Sequence, residues 1–368
     1  MNSILREDYA VLADNLREYI CHFEEKHFLV TGAAGFLGTY IRGFLDFLIS
    51  EDLTPRFTAD LLDNFVVGKR QPSAHGLQLQ YGDVSKEVTV SRNPDYIIHA
   101  AGIASPKHYS RLPVETLESG TTGTRRVLDL ARKTTCCGML FLSSSEVYGN
   151  PDPQNVPTKE SYNGNVSTSG PRACYDESKR MGETWSFLYA REFHVPVNVV
   201  RLFNVYGPGF RRSDGRVIPN FIENIAMGVP VIIHGQGKHT RTFCYIADAV
   251  EALFRVLFSD RMGEAFNIGN EGPEVSVAEL ASILSALAPH PVPVVHRDPE
   301  LSAYLKDDPD RRCPDISKLR LLTQFRPRYS LQAGLGRTLA WHSEEYGNSE
   351  NMVLTPVKQS PGHEPIRA

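Results

Sequence analysis

Apolar residues along this chain gather into short solid runs, separated by stretches in which they recur at helical spacing. His27–Thr31 (H-F-L-V-T), Thr58–Leu62, Leu77–Tyr81, Tyr96–Ala101, Met139–Ser143 and Val197–Leu202 read as strands. Helical patterns run through Leu48, from Val114 to Lys133 and from Tyr175 to Arg191. Strand and helix therefore alternate. With right-handed crossovers this predicts an α/β fold, a doubly wound parallel (Rossmann) sheet over residues 27–207. After Pro208 the pattern loosens into Pro- and Gly-rich stretches, a short strand at Val231–His234 and a helix at Val277–Leu287. We expect a smaller C-terminal substrate-binding lobe over 208–346, with a strand and helix from about 240–260 returned to the first domain. Residues 1–26 carry Leu5, Tyr9, Leu12, Leu16 and Ile20 at amphipathic spacing and predict a helix packed on the body or on a partner subunit. The polar stretch 347–368 reads as a disordered tail, and no internal repeat is present.

Composition narrows the class. At 368 residues the chain can bury a large core, and a net charge of −4 offers nothing to nucleic acid or an anionic membrane. No apolar run approaches the roughly 20 residues of a membrane span, and no signal-peptide pattern opens the chain. The six cysteines lack metal-ligand spacing and the twelve histidines lack pairing, so no metal is expected. Adjacent Cys136 and Cys137 read as thiols rather than a disulfide, and a reducing cytoplasm as the expected location.

The first strand ends in Gly32-Ala-Ala-Gly35-Phe36-Leu37-Gly38 and leads directly into a helix. Gly32 permits a tight turn, Gly35 lets backbone approach a pyrophosphate, and Gly38 allows close helix–strand packing. The helix N-terminus offers N–H groups to the phosphates. Asp63, with Asn64 beside it, ends the second strand and suits the adenosine ribose hydroxyls of NAD, although Lys69 and Arg70 just beyond would suit NADP. Asp83 and Val84 after the third strand, and Ala100 and Ala101 after the fourth, border the same cofactor.

Tyr175 and Lys179 stand four apart on one helix and share a face. A neighbouring ammonium is expected to lower the phenol's pKa from its usual value of about 10, giving a base for a sugar alcohol. Ser143-Ser144-Ser145-Glu146 at a strand end adds hydroxyls and a carboxylate. In such sheets ligands bind at the carboxyl ends of strands, where the glycine turn, Asp63, Ser144, Glu146 and Asn204 all fall. Arg211, Arg212, Arg216, Arg241, Arg311 and Arg312 are scattered through the second lobe, and about half of them read as plain surface residues. Arginine forks suit phosphate or carboxylate. Asp176 and Glu177 read as helix-start charges and Cys174 as packing.

These motifs resemble the extended short-chain dehydrogenase/reductase superfamily, and within it the UDP-glucuronate decarboxylases (UDP-xylose synthases), over residues 27–345. The resemblance rests on S-E-V-Y-G (145–149), G-P-R-A-C-Y-D-E (170–177), R-L-F-N-V-Y-G-P (201–208), D-G-R-V (214–217), T-R-T-F-C-Y (240–245) and D-D-P-D-R-R-C-P-D-I (307–316). It implies a lyase with bound NAD, a UDP-sugar substrate and a homodimer built on a helix bundle. It assigns Tyr175 as base, Lys179 as its partner, Ser144 in place of the usual Thr, Glu146 as the acidic residue and Arg241 at the substrate carboxylate. Asn204, Asn220 and Phe221 match nucleotide-diphosphate contacts and Arg312 a diphosphate arginine. Ser145, Arg172, Arg216, Val217 and Tyr245 join the expected substrate contacts.

The expected chemistry is oxidation at C4, loss of carbon dioxide from the resulting β-keto acid, and reduction of the 4-ketone. Three rivals stand beside it: a UDP-sugar 4-epimerase, a 4,6-dehydratase and a catalytically silent NAD-binding protein. Ser145 stands where dehydratases place the Asp that protonates their leaving hydroxyl. Gly120 replaces a common Asn, His234 a Tyr, Asn163 a Trp, and Ser167-Thr168-Ser169 an Asn-Pro-Ile. These departures lie around the sugar and base pockets and leave the identity of the sugar open.

Overall fold

The central layer is a seven-stranded sheet in which every neighbouring pair runs parallel. The computed structural model describes residues 1–54, 56–69, 76–212, 214–290, 292–297 and 309–347. Arg70 and the tail expected beyond Gly347 lie outside the described residues. The strands are β1 (His27–Thr31), β2 (Thr58–Asp63), β3 (Leu77–Tyr81), β4 (Tyr96–His99), β5 (Gly138–Ser144) and β6 (Val197–Leu202), with Ala265–Ile268 at the far edge. Their spatial order is β3-β2-β1-β4-β5-β6 and then Ala265–Ile268. The order reverses between β1 and β4, which opens a crevice above their carboxyl ends.

Alternation along β1 shows how the two faces are covered. Phe28 and Val30 enter one apolar core with the helices Phe36–Ser50 and Ile246–Leu257, while Leu29 enters the other. That second core holds Val127, Leu128, Tyr189 and Ala190 from the helices Thr124–Thr134 and Ala173–Phe193. Period-two burial on both faces is what a parallel sheet requires.

The stretch expected as one helix from 114 to 133 runs as Pro113–Glu118, a π turn at Ser119–Gly123, and Thr124–Thr134. Gly120 sits in that turn, where an added Cβ would lie 2.7 Å from the Ser178 Cβ. The absent Asn is thus matched by close packing of Ser178 from the long helix Ala173–Phe193.

The lobe after Pro208 holds the helices Val217–Ala226 and Val277–Leu287 and the parallel pair Val231–His234 with Val294–Arg297. A three-stranded ribbon lies beside them. In it Thr240–Arg241 pairs with Val275–Ser276 on one side and Arg311–Arg312 on the other, setting Arg312 opposite Arg241.

The N-terminal extension packs on the body. Its helix stops at Asn15, shorter than expected, and a 3-10 stretch Arg17–Phe23 carries the chain to β1. Tyr9 and Leu12 are buried in the main core. Asp8 is fully buried and accepts hydrogen bonds from Tyr245 Oη (2.6 Å), Arg337 Nε (2.8 Å) and Tyr329 Oη (3.4 Å). Tyr245, expected at the substrate, is instead 1 % exposed and committed to Asp8. Its aromatic body is apolar and its hydroxyl needs a buried acceptor, which the extension provides. Replacing Asp8 with Ala leaves those donors unpaired, so Asp8→Ala should lose about 2–4 kcal/mol of unfolding free energy in urea titration. Asp8→Asn should lose less.

Candidate active site

The turn after β1 is built to approach a ligand closely. Gly32 has φ of +71°, and a Cβ there would lie 2.6 Å from the Ala100 carbonyl oxygen at the end of β4. The following helix, Phe36–Ser50, starts at Gly35 with no side chain capping it, so its first-turn N–H groups face the crevice. Asp63 at the end of β2 accepts hydrogen bonds from Ala34 N (2.8 Å) and Phe65 N (2.7 Å), fixing its carboxylate beside the turn. Asn64 closes its own turn onto Val66 N, and Asp83 does the same for Ser85 while Val84 is buried. Ala101 N donates to Thr31 Oγ1. Glycine backbone, an open helix start and an acid at the next strand end suit a dinucleotide. Arg211, which the sequence left among the scattered arginines, donates to the Ala34 carbonyl and puts a cation at this turn.

A cavity of about 1460 Å³ lies between the sheet's carboxyl edge and the lobe, lined by Phe36, Leu37, Ser144, Tyr175, Arg216 and Arg241 among others. Tyr175 is 7 % exposed, hydrogen-bonds with the Ser144 hydroxyl and stacks on Tyr109 with ring centroids 5.5 Å apart. Its pKa is pushed up to about 12, chiefly by burial, while the Ser144 hydrogen bond and the Arg216 charge pull it down. The lowering expected from Lys179 is absent. The Lys179 ammonium donates to the Leu142 carbonyl at 2.7 Å and lies 5.8 Å from the Tyr175 ring centroid. Burial also brings Lys179 down to about 8. Desolvation outweighs the attraction between the two groups here.

Glu146 sits in the short turn Ser145–Tyr148 after β5 and draws arginines from two directions. Its Oε2 pairs with Arg172 Nη2, just before the long helix, and accepts from Arg312 Nη2 at 2.7 Å. Three residues separated widely in sequence meet in one ion-pair cluster. Asp176, read earlier as a helix-start charge, is 7 % exposed and lies behind it, with Oδ2 3.9 Å from Arg172 Nε. Arg241 is 7 % exposed and donates from Nη1 to the carbonyls of Thr240 (2.8 Å) and Asp310 (3.2 Å). Arg216 is gripped by Asp214 (2.5 and 2.9 Å) with its guanidinium 5.2 Å from the Phe36 ring. That contact joins the second lobe to the glycine turn.

The remaining expected residues distribute along the cavity. Ser145 and Val217 line it, as do Asn220 and Phe221 one turn into the helix Val217–Ala226. Asn204 adopts φ of +43° and donates to the Thr242 carbonyl at 2.8 Å. His234 lines the cavity as an exposed residue. Arg311 lines the cavity as an exposed residue paired with Glu274, whereas Arg212 lies over Tyr346 and does not line it. Asp214 and Tyr109 were missed by sequence reasoning. Asp214 stands in the quoted D-G-R-V run, whereas nothing local marks Tyr109.

The family model described as the NAD dependent epimerase/dehydratase family matches residues 28–269. A Xenopus tropicalis protein named UDP-glucuronic acid decarboxylase 1 is 34 % identical over 346 residues, covering 92 % of this chain and 77 % of its own. Arabidopsis thaliana UDP-glucuronic acid decarboxylase 6 is 36 % identical over 312 residues, covering 83 % of this chain and 86 % of its own. Among solved structures, an epimerase from Methanothermobacter thermautotrophicus superposes with a TM-score of 0.76 at 27 % identity, covering 92 % of this chain and 97 % of that one. A dTDP-glucose 4,6-dehydratase from Streptomyces venezuelae, solved with NAD bound, gives 0.73 at 25 % identity over 87 % and 98 %. With the sheet, the glycine turn and the Tyr175–Lys179 helix all in place, this chain belongs to the NAD dependent epimerase/dehydratase family of enzymes.

Proposed function

We propose that this enzyme decarboxylates a nucleotide-hexuronate, converting UDP-glucuronate to UDP-xylose through a 4-keto sugar. The observation that carries the reading is the meeting, in one cavity, of the Ser144–Tyr175 hydroxyl pair with the buried guanidinium of Arg241. The relatives named UDP-glucuronic acid decarboxylase support it.

NAD, when bound, supplies a reversible acceptor for the hydride at sugar C4. Gly32, Gly35 and the helix start at Phe36 would hold its pyrophosphate, and Asp63 its adenosine ribose. Tyr175 takes the proton of the 4-hydroxyl while Ser144 donates a hydrogen bond that stabilises the phenolate. Arg216 adds positive charge toward that oxygen, offsetting part of the cost of forming an anion in a buried place. Arg241 holds the C6 carboxylate, and then the enolate oxygen as carbon dioxide leaves; the enolate takes a proton at C5, and the hydride and the Tyr175 proton return to C4 and its oxygen. Arg312 and Asn220 meet the diphosphate and its nucleoside end. Glu146 orients the ring hydroxyls from its position between Arg172 and Arg312. Ser145 has no proton acidic enough to expel a C6 hydroxyl, which separates this site from a dehydratase.

The apolar side chains Val114, Leu117 and Met181 are 64 %, 42 % and 47 % exposed on the Pro113–Glu118 and Ala173–Phe193 helices. We propose that they form the interface of a homodimer.

Four outcomes are expected. Purified enzyme given UDP-glucuronate and NAD releases carbon dioxide and yields a UDP-pentose by NMR; a galacturonate formed without carbon dioxide would instead make it an epimerase. Tyr175→Phe should lower kcat by about 10³-fold, and Arg241→Ala decarboxylation by about 10²–10³-fold. Retention of full turnover by either variant contradicts the assignment. Leu117→Asp with Met181→Asp should convert a dimer to a monomer in light scattering.

A further inference from the structure

Asp176 has no task in the mechanism above, yet its surroundings are unlike those of a helix-start charge. It follows Tyr175 on the helix Ala173–Phe193, is 7 % exposed, and does not line the cavity. Its Oδ1 is buried and makes no hydrogen bond among the described residues. Its Oδ2 lies 3.9 Å from Arg172 Nε, too long for a hydrogen bond. Glu146, in front of it, meanwhile pairs with both Arg172 and Arg312.

Two carboxylates thus face two guanidiniums, and the closest contacts go to Glu146. Burial favours the neutral form of an acid left with so little. Repulsion from Glu146 acts the same way and Arg172 and Arg312 oppose it, leaving Asp176 raised to about 7. The other groups facing it are Glu177, Cys174 and Tyr175 of its own helix. When Asp176 loses its proton, the net charge around Glu146, Arg172 and Arg312 falls by one unit.

We propose that Asp176 is a positioning residue whose proton sets the net positive charge that Glu146, Arg172 and Arg312 present to an anionic sugar nucleotide. The proposal rests on the reading of the cavity as a nucleotide-sugar site. Asp176 acts through the cluster in front of it and touches no reacting atom. Loss of its proton weakens the pull on the diphosphate and also opposes the Tyr175 phenolate, to which it adds a repelling charge.

The test compares the full-length enzyme with Asp176→Asn, which keeps the shape and fixes the charge at zero. UDP-glucose is the probe, because its diphosphate diester does not titrate near neutral pH. Calorimetry should show wild-type affinity falling about 3- to 10-fold between about pH 6 and about pH 8, the size expected for one screened charge near the ligand. Asp176→Asn should keep the low-pH affinity throughout. Identical pH slopes for the two proteins would overturn the proposal.

A second arm needs no nucleotide. An acid whose folded-state pKa lies above its unfolded value stabilises the fold fully below the unfolded value and loses that contribution as pH rises through the folded one. The wild-type melting temperature should therefore fall relative to Asp176→Asn between about pH 4 and about pH 7, then run parallel to it. A flat difference across that window overturns the proposal. Binding of UDP-glucose to neither protein would count against the nucleotide-sugar reading, while the melting curves would still decide where Asp176 keeps its proton.

Discussion

Burying charge at the carboxyl edge of a parallel sheet is the constraint around which this structure is arranged. Glu146 sits just past β5 and must be neutralised where water is scarce. Arg172 comes from just before the long helix and Arg312 from the small lobe, so one carboxylate ties three distant segments together. Such a cluster is stable only when its partners are held in place, because desolvated ions cost several kcal/mol each. The lobe therefore cannot drift from the sheet without stranding a charge, and the cavity between them keeps its shape.

A second buried network supports the first from below. Glu183 accepts from Ser143 Oγ at 2.6 Å and from the fork of Arg201 at 2.6–3.2 Å, and Arg201 continues to Tyr148 Oη at 2.8 Å. Tyr148 in turn donates to Asn267 on the edge strand. The end of β5, its turn and the long helix are thereby locked in register beneath Ser144 and Tyr175. The Ser144 and Tyr175 hydroxyls are thus held on rigid elements rather than on loops. The same burial keeps Tyr175 hard to ionise until positive charge comes close.

Much of this was legible from the chain. The alternation of apolar runs with helical periods specified the parallel sheet, because buried strands and amphipathic helices leave different periodicities. The glycine turn and the Asp63 position were also local. What misled was distance: spacing on one helix suggested that Lys179 would ease ionisation of Tyr175, but its ammonium turns to the Leu142 carbonyl instead. Tyr245 sits in the same motif as Arg241, yet a hydrogen bond to Asp8, remote in sequence, draws it into the core.

By itself, then, the sequence determined the layer order, the cofactor turn and the residues offered to chemistry, since each depends on neighbours within a few positions. Only the tertiary structure decided how charge is shared. Glu146, Arg312 and the helix start that carries Arg172 and Asp176 are three separate segments, and their meeting sets which acid is paired and which is left to hold a proton. Burial and Coulomb energy depend on distances through space, and those distances exist only once the chain has folded.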